Sequence, residues 1–416
     1  MGPALGVTRS GPNVALKRDS QAVLGRSAGG VLVIAQTALC LLLLIGAGLF
    51  VRTFLNLTNQ KLGFDTHDLY TASIDPRVAG FKGPRLAQFY SDLYSALNAS
   101  PGVAASFSTD APIAGCCWSQ SFLTDGQADD PGKRTTAFFN MVSPGFFRTF
   151  QTRILAGRDF TLRDASSTPF AIVNRALAEQ FFPGADPLGK HIVIGKNAAR
   201  RSLEIVGVVD DMRTGGLRAG TEYEIYMNMF QSAELVQMIV EVRSPRGLAE
   251  TVALLRQQTR ALNARIPLVA DSFGEQVART VLSDRMTAIL AAFFGALALL
   301  LACVGLYGIL SYNVVRRTSE IGMRMALGAQ ASSVIRMIVR EALLFAGAGA
   351  AIGIPAALVC SRWMVSLSTL LFGIRPTDPW NIAAMTMLLL VLAALAGYLP
   401  ACRAARIDPV KALREE

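Results

Sequence analysis

Four long stretches of this sequence contain no Asp, Glu, Lys or Arg, and they constrain the fold more than any other feature. A helix must present about 20 consecutive, mainly apolar residues to cross the hydrocarbon core of a membrane. Each stretch is long enough, and the chain is 52% hydrophobic and only 17% charged. We therefore predict four transmembrane helices, at residues 27–51, 286–315, 342–361 and 379–402.

Basic residues beside these stretches predict the orientation of the chain. Segments 1–26, 316–341 and 403–416 together carry 13 Lys and Arg against 6 Asp and Glu. Because short cytoplasmic segments of membrane proteins are enriched in Lys and Arg, we place these three segments, and hence both termini, in the cytoplasm. Residues 52–285 then form one large outer domain, and residues 362–378 form a short outer loop.

The formal net charge of +10 is mainly a consequence of this topology. No basic stripe interleaved with aromatic residues accompanies it, so no nucleic-acid partner is predicted, whereas membrane lipids are. The predicted spans carry no charged residue at mid-depth, and this disfavours transport driven by an ion gradient.

Within the outer domain, strand patterns alternate with amphipathic helix patterns, which predicts a mixed α/β (α+β) fold. We expect two lobes that divide at the polar run Thr124–Arg134. The residues after the first span and before the second keep a helix-forming composition, so we predict a helical stalk, with ordinary connecting helices as the alternative. Strands are predicted at residues 69–74, 170–174, 203–209 and 236–242, and helices from the spacing of Leu86, Phe89, Tyr90, Leu93 and Leu97 and of Leu248, Val252, Leu255 and Leu262.

The stretch GADPLGKH, Gly184–His191, comes within one residue of the phosphate-binding pattern G-x-x-x-x-G-K-[ST]. His191 replaces the Ser or Thr whose hydroxyl would hold magnesium. The order of elements is also reversed, with a helix predicted upstream at 174–182 and a strand downstream at 191–195, whereas a phosphate loop leads from a strand into a helix. We therefore predict a turn, and no nucleotide site.

Neither enzyme chemistry nor a metal site is predicted. His67 and His191 are far apart and lack metal-ligand spacing, so each is interpreted as a surface residue or a hydrogen-bonded core residue. Cys116 and Cys117 are adjacent, and two thiols or a link to another chain both remain open. The other cysteines lie in or at the ends of predicted spans, where a small apolar thiol packs well: Cys40, Cys303, Cys360 and Cys402.

The connection between the second and third spans holds the densest motif, RRTSEIGMRMALGAQASSVIRM. Ser319 is predicted to cap a helix that starts at Glu320, and Gly328 to end it. Ser332 or Ser333 is predicted to cap the next helix. Glu320 and Arg324 then lie at i and i+4 on a short helix beside the membrane. A solvated turn whose arginines serve only topology is the alternative.

The string RTSEIGMRMALGA, residues 317–329, resembles the R-x-x-E-I-G-x-R-x-A-L-G-A motif of the MacB/FtsX family of ABC-transporter permeases. The tail PACRAARIDPVKALR, residues 400–414, is similar to the ending of that family. The outer segment FAIVNRALAEQFFPGADPLGKHIVIG, residues 170–195, resembles its periplasmic core. Together these likenesses extend from the first span to the end of the chain.

The resemblance implies a non-catalytic permease subunit in the bacterial inner membrane, working as a dimer with a second copy or half. A cytoplasmic ABC ATPase would bind ATP and magnesium, so no cofactor is expected on this chain. ATP hydrolysis would move the outer domain, with a periplasmic adaptor or lipoprotein as a possible further partner. The residues implied to contact the ATPase are Glu320, Gly322, Arg324, Ala326, Leu327 and Gly328.

Two departures qualify the resemblance. About 26 residues precede the first span, where MacB-like pumps carry an ATPase, so the ATPase is expected on a separate protein. The segment Asn13–Ser20 resembles the linker before the second half of duplicated, eight-span permeases, so the chain is either a complete permease or one such half. The alternative function is a membrane-anchored binding or sensory protein without transport.

Overall fold

The structure is a computed structural model that describes residues 12–113, 118–125, 135–195, 200–232, 235, 237–327, 330–365 and 377–405. The chain forms two compact units, one of residues 1–58 and 283–416 and one of residues 59–282. We call the first the membrane unit and the second the α/β domain.

The described elements are numbered in chain order. The helices are α1 (Pro12–Thr58), α2 (Pro84–Asn98), α3 (Phe146–Phe150), α4 (Arg175–Phe181), α5 (Gly247–Leu262), α6 (Phe273–Thr280), α7 (Leu282–Arg316), α8 (Thr318–Ala326), α9 (Ala331–Val365) and α10 (Pro379–Ala404). The strands are β1 (Leu69–Ile74), β2 (Ala104–Ser108), β3 (Trp118–Thr124), β4 (Thr135–Val142), β5 (Ile154–Gly157), β6 (Phe170–Asn174), β7 (His191–Ile194), β8 (Arg201–Val209), β9 (Glu224–Asn228), β10 (Met238–Arg243) and β11 (Leu268–Ser272).

Four helices, α1, α7, α9 and α10, are long and apolar enough to cross a membrane, and together with the α/β domain they confirm the predicted fold class. Each helix contains one of the charge-free stretches and extends beyond it. The helix α9 begins at Ala331, before its charge-free stretch, and Glu341 at the end of that extension makes polar contacts. There the Glu341 carboxylate accepts a hydrogen bond from the Asn313 amide of α7 at 3.1 Å and lies 3.6 Å from the Arg317 guanidinium.

Small residues bring α1 and α9 into close contact. A Cβ atom added at Gly353 would lie 2.8 Å from the Ala38 carbonyl oxygen, so no larger residue fits there without movement. The Thr37 hydroxyl is buried beside Gly349 and donates to the Val33 carbonyl at 2.9 Å. This is the packing that helices need in lipid, where close approach supplies the stabilising contacts.

Helix α10 is tied to α1 by polar groups near its first turn. The buried Asn381 amide donates to the Ile45 carbonyl at 3.0 Å, and Gly48 leaves the space that the Asn381 side chain occupies. The Arg52 guanidinium pairs with Asp378, whose carboxylate also accepts from the Trp380 amide and so caps α10. These contacts fix the register of the two helices.

The α/β domain begins with a four-stranded antiparallel sheet, in the order β11-β1-β10-β2. Helices α2 and α5 cover one face, and the predicted apolar stripe of α2 is buried there against Val240 and Val242. The helix α3 covers the other face with Phe146, Phe147 and Phe150. The first strand after α1 and the last strand before α7, β1 and β11, are neighbours in this sheet.

The chain between β2 and β10 forms a closed ring of six strands, which we call the barrel. Its pairing order is β4-β3-β7-β8-β6-β9 and back to β4, with β5 added beside β8. The interior is apolar, with Phe122, Phe139, Ile192, Ile205 and Ile225 among its buried side chains.

The predicted lobe boundary at Thr124–Arg134 is therefore wrong. The strands on either side of that run, β3 and β4, pair with each other from Trp118↔Phe139 to Phe122↔Thr135. The polar run connects two strands of one hairpin, and polar, glycine-bearing composition is as typical of a hairpin connection as of a lobe boundary. Both strands belong to the barrel, so the run does not separate two lobes.

Candidate functional site

The short helix α8 is held against the membrane unit by one apolar face. Ile321 is only 3% exposed, and Met325, one turn later, packs against the same cluster of side chains. Because residues four apart share one face of a helix, these two residues fix the orientation of α8. The buried members of the cluster come from all four spanning helices as well as from α8: Val33, Leu306, Leu310, Val314, Ile321, Val334, Ile338, Ala342, Ala346, Ala393, Ala396, Ala401 and Ala404.

The opposite face of α8 presents both charged and apolar side chains to solvent. Glu320, Arg324 and Ala326 are exposed, and the Leu327 side chain that follows is 84% exposed. A leucine so exposed at the end of a helix has no role in the packing of this chain. Of the other predicted site residues, Gly322 is buried, and Gly328 lies outside the described residues.

Glu320 and Arg324 are brought to one surface, but they do not bind each other. Within the described part of the chain, no ion pair or hydrogen bond to the Glu320 side chain is found, while the Arg324 guanidinium lies 3.6 Å from the Met337 sulfur on α9. Both charges are therefore available to a partner of complementary charge.

The predicted N-caps of α8 and α9 are wrong, whereas the prediction that Gly328 ends α8 falls outside the described residues. The helix begins at Thr318, before Ser319, and Arg317 occupies the N-cap position without a side-chain cap. The Thr318 hydroxyl instead donates to the Val315 carbonyl at 2.7 Å, because α7 turns into α8 with almost no linker. Ser332 and Ser333 lie inside the first turn of α9, which starts at Ala331.

Two anchors of this connection were not identified from the sequence. Glu341 ties the end of α7 to α9, and the Arg403 guanidinium of α10 donates to the Tyr307 hydroxyl of α7 at 2.6 Å. Ile321 and Met325, by contrast, carry an i, i+4 apolar spacing that the sequence alone displays.

Most backbone donors of the loop Gly184–His191 are already bound within the domain. Gly189 N donates to the Ile205 carbonyl at 2.9 Å, and Lys190 N donates to the Pro187 carbonyl at 3.2 Å. Leu188 N is bound by the Asp186 carboxylate at 3.0 Å. The order α4, loop, β7 is the predicted one, and Asn174 caps α4 by accepting from Leu177 N. The prediction of a structural turn is confirmed.

The histidines lie at the surface, as the sequence predicted. The His67 side chain is 81% exposed and its Nδ1 atom is 3.1 Å from an Asp68 oxygen. The His191 side chain is 43% exposed and lies 3.4 Å from Asp125. Cys116 and Cys117 lie outside the described residues.

Two carboxyl groups are fully enclosed in the α/β domain. Burial raises the pKa of Glu224 to about 8, although the hydroxyls of Thr214 and Tyr226 donate to it and oppose the shift. Burial also raises the pKa of Glu241 to about 7, against the opposing hydrogen bonds from the hydroxyls of Ser108 and Ser106. Removing a carboxylate from water disfavours its charged form, so desolvation is the dominant cause.

Comparison with known families gives two matches that together cover most of the chain. Residues 31–258 match the model described as the MacB-like periplasmic core domain, and residues 292–409 match the FtsX-like permease C-terminal model. The chain belongs to the MacB/FtsX-like permease family. The α/β domain corresponds to the periplasmic core domain of this family, and α8 lies inside the FtsX-like permease region.

Relatives of this permease include two with different domain content. The macrolide export ATP-binding/permease protein MacB of Marinobacter nauticus is 26% identical over 308 residues, which are 71% of this chain and 46% of that protein. The uncharacterized ABC transporter permease YknZ of Bacillus subtilis is 25% identical over 295 residues, which are 68% of this chain and 71% of YknZ. The chain spans less than half the length of the MacB relatives that it matches.

Two of the solved structures that the comparison finds are of isolated domains. The periplasmic region of MacB from Actinobacillus actinomycetemcomitans is 14% identical, with a TM-score of 0.36, and covers 54% of this chain and 97% of that domain. The extracellular domain of YknZ is 17% identical, with a TM-score of 0.31, and covers 48% of this chain and 99% of that domain.

Proposed function

We propose that this permease couples ATP hydrolysis by a separate cytoplasmic ABC ATPase to movement of the α/β domain on the outer side of the membrane. The function is export or mechanical transmission, and the chain itself is not catalytic. The observation that carries the proposal is α8, a nine-residue helix fixed to the membrane unit on one face and presenting the exposed charges of Glu320 and Arg324 on the other.

The packing of α8 suits it to transmit a displacement. Because Ile321 shares one apolar cluster with residues of α1, α7, α9 and α10, a force on α8 acts on all four spans. Close-packed interiors have few voids and resist compression, so such a force is not absorbed locally. Glu341, bound to Asn313 and Arg317, braces the junction from which α8 departs.

The partners follow from this assignment. The ATPase binds ATP and magnesium, and Glu320, Arg324 and Leu327 form the surface that it contacts. A second permease copy or half is the other membrane partner, in a dimer. An adaptor or a lipoprotein substrate on the outer side completes the proposed system, with the chemistry of the cargo left open.

Removal of both charges from α8 is expected to uncouple the ATPase. The variant Glu320→Ala with Arg324→Ala should lower permease-stimulated ATP hydrolysis about tenfold or more, because charge pairs at an interface are worth about 1.5 kcal/mol or more each. The ATPase is identified by co-purification from native membranes, and hydrolysis is measured with both proteins in lipid nanodiscs.

The matched control is Arg336→Ala, which removes an exposed arginine of α9 outside α8 and should leave stimulation unchanged. Unchanged stimulation in the α8 double variant, with normal membrane insertion, would contradict the contact. If no ATPase co-purifies and a kinase does, the binding or sensory alternative is favoured.

The orientation can be tested with single cysteines. Val269→Cys, on a β11 position that is 74% exposed, should react with an impermeant maleimide in cells whose outer membrane is permeabilised. Leu327→Cys, 84% exposed at the end of α8, should react only after the inner membrane is opened. Labelling is compared with that of the unaltered chain, and the opposite pattern would reverse the topology.

A further inference from the structure

One end of the barrel is open and lined by side chains that belong to no part of the coupling site. The cavity there measures about 260 Å³. Its apolar wall includes Trp118, Met141, Ile194, Leu203 and Met227. These residues lie where β3 and β8 begin and where β4, β7 and β9 end, so they surround a single mouth.

The strand register places the lining side chains on the inner face of the barrel. Trp118 is paired with Phe139, and their rings are 5.4 Å apart. Arg201 is paired with Ile194, which belongs to the apolar interior. Paired residues in adjacent strands share a face, so Trp118 and Arg201 face inward, above a floor formed by the barrel core.

Two polar groups in the mouth have no partner within the described part of the chain, namely the Arg201 guanidinium and the Gln120 amide. Two other lining amides are already used, since Gln231 donates to the Asp164 and Thr168 carbonyls and Asn228 accepts from Phe230 N. Arg201 is the one ionisable side chain among the described lining residues, and it places a positive charge above an apolar floor.

The size of the cavity limits what can bind. A cavity of about 150 Å³ holds one benzene molecule, so this cavity suits a ligand of about ten non-hydrogen atoms. Mouths of barrels are a preferred place for small-molecule sites.

We propose that the barrel mouth binds a small apolar carboxylate, with its hydrocarbon or aromatic part against Trp118, Met141 and Met227 and its carboxylate on Arg201 and Gln120. Arginine presents paired donors that match a carboxylate, and the apolar floor excludes water from the rest of the ligand. The site is separate from the coupling role of α8, and neither proposal depends on the other.

The test uses Trp118 as an internal reporter. The chain contains three tryptophans, and Trp363→Phe with Trp380→Phe leaves Trp118 alone. In lipid nanodiscs, 4-phenylbutyrate should change the emission of Trp118 saturably. The neutral analogue 4-phenyl-1-butanol should bind about tenfold more weakly, because it cannot pair with the guanidinium. Equal affinity for the two compounds would overturn the proposal.

Variants of the mouth locate the binding. Arg201→Gln should weaken phenylbutyrate binding about tenfold and leave phenylbutanol binding unchanged, whereas Arg201→Lys should keep most of the affinity for the acid. The double variant Met141→Phe with Met227→Phe, which fills the cavity, should weaken the binding of both compounds. Absence of any saturable change in the parent chain, or the same affinity in Arg201→Gln, would contradict the site. Since Arg201 is exposed, its substitution tests the site even if the filled variant fails to fold.

Discussion

Gly349→Ala is expected to destabilise the membrane unit by about 2–3 kcal/mol, the cost of overpacking a close-packed interior. The added Cβ atom would fall on the hydroxyl of Thr37 and 2.8 Å from the Thr37 Cβ atom. Thr37 cannot move aside easily, because it is 2% exposed and its hydroxyl is bound to the Val33 and Ile34 carbonyls. We expect a lower midpoint of unfolding in a detergent titration of the purified chain.

The same helix supplies a control for this substitution. Gly347 lies two residues earlier in α9, and a Cβ atom added there meets nothing within 4 Å. Gly347→Ala should therefore be neutral or stabilising by up to about 1 kcal/mol, the gain in helix propensity. The double variant Thr37→Gly with Gly349→Ala should recover part of the loss by moving the small residue to α1. Equal effects at positions 347 and 349 would contradict the close approach of α1 and α9.

Stability of the α/β domain is expected to fall as the pH rises from about 4.5 to 8. The unfolded carboxyl groups ionise near the ordinary value of 4.5, while Glu224 stays protonated to about pH 8 and Glu241 to about pH 7 in the folded domain. The folded state thus binds more protons than the unfolded state in this window. The contribution of the two groups to the free energy of unfolding is therefore fully present below pH 4.5 and is lost as the pH rises to about 7 and 8. The expected loss between pH 5 and pH 8, summed over the two groups, is on the order of 6 kcal/mol.

Substitution of the two glutamates isolates this effect. Glu224→Gln with Glu241→Gln should flatten the dependence, so that the variant is less sensitive to pH than the parent between pH 5 and pH 8. Thermal unfolding followed by Trp118 emission, with Trp363→Phe and Trp380→Phe in every variant, reports on this domain, with an expected parent shift of roughly 12–24 °C. Glu250→Gln, at the exposed start of α5, should keep the parent profile. A flat profile in the parent chain would rule out buried ionisation as the cause.

The sequence predicts the elements of this fold better than their assembly. Charge-free runs identify the four spans because the requirement for apolar length is local. The residues of β1 and β6 are also correct, since short apolar runs between turn residues are local signals. Closure of the barrel depends on the parallel pairing of β4 with β9, whose residues are far apart in sequence and carry no mutual signal.

The helix predicted from Leu248, Val252, Leu255 and Leu262 is confirmed as α5, but its buried face is not the one that this spacing outlines. Leu248 and Leu262 are 37% and 36% exposed, while Thr251 and Thr259 are buried beside Leu255. Burial selects a face with i, i+4 spacing, and threonine methyl groups can share it when the hydroxyl bonds to the helix, as Thr251 does to the Gly247 carbonyl.

The candidate site was also only partly predictable from the sequence. The helix pattern placed Glu320 and Arg324 on a short helix, and the resemblance to the permease family implied their contact with an ATPase. The sequence did not identify the contact of Arg324 with Met337 or that of Glu341 with the end of α7, because these contacts join different helices. The barrel mouth carries no motif, since its residues come from six strands and become neighbours only through pairing.

The adjacency of β1 and β11 determines how the α/β domain responds to mechanical load. The chain enters β1 from α1 and leaves β11 toward α7, and the Tyr70↔Ser272 pair places entry and exit at the same end of the two antiparallel strands. The strand β11 has one neighbour among the described strands. A force that separated the entry to β1 from the exit of β11 would break the β1–β11 pairs one after another. A force on both chain segments in the same direction would be shared by the pairs of the sheet, so the domain keeps its fold best when the two segments move together.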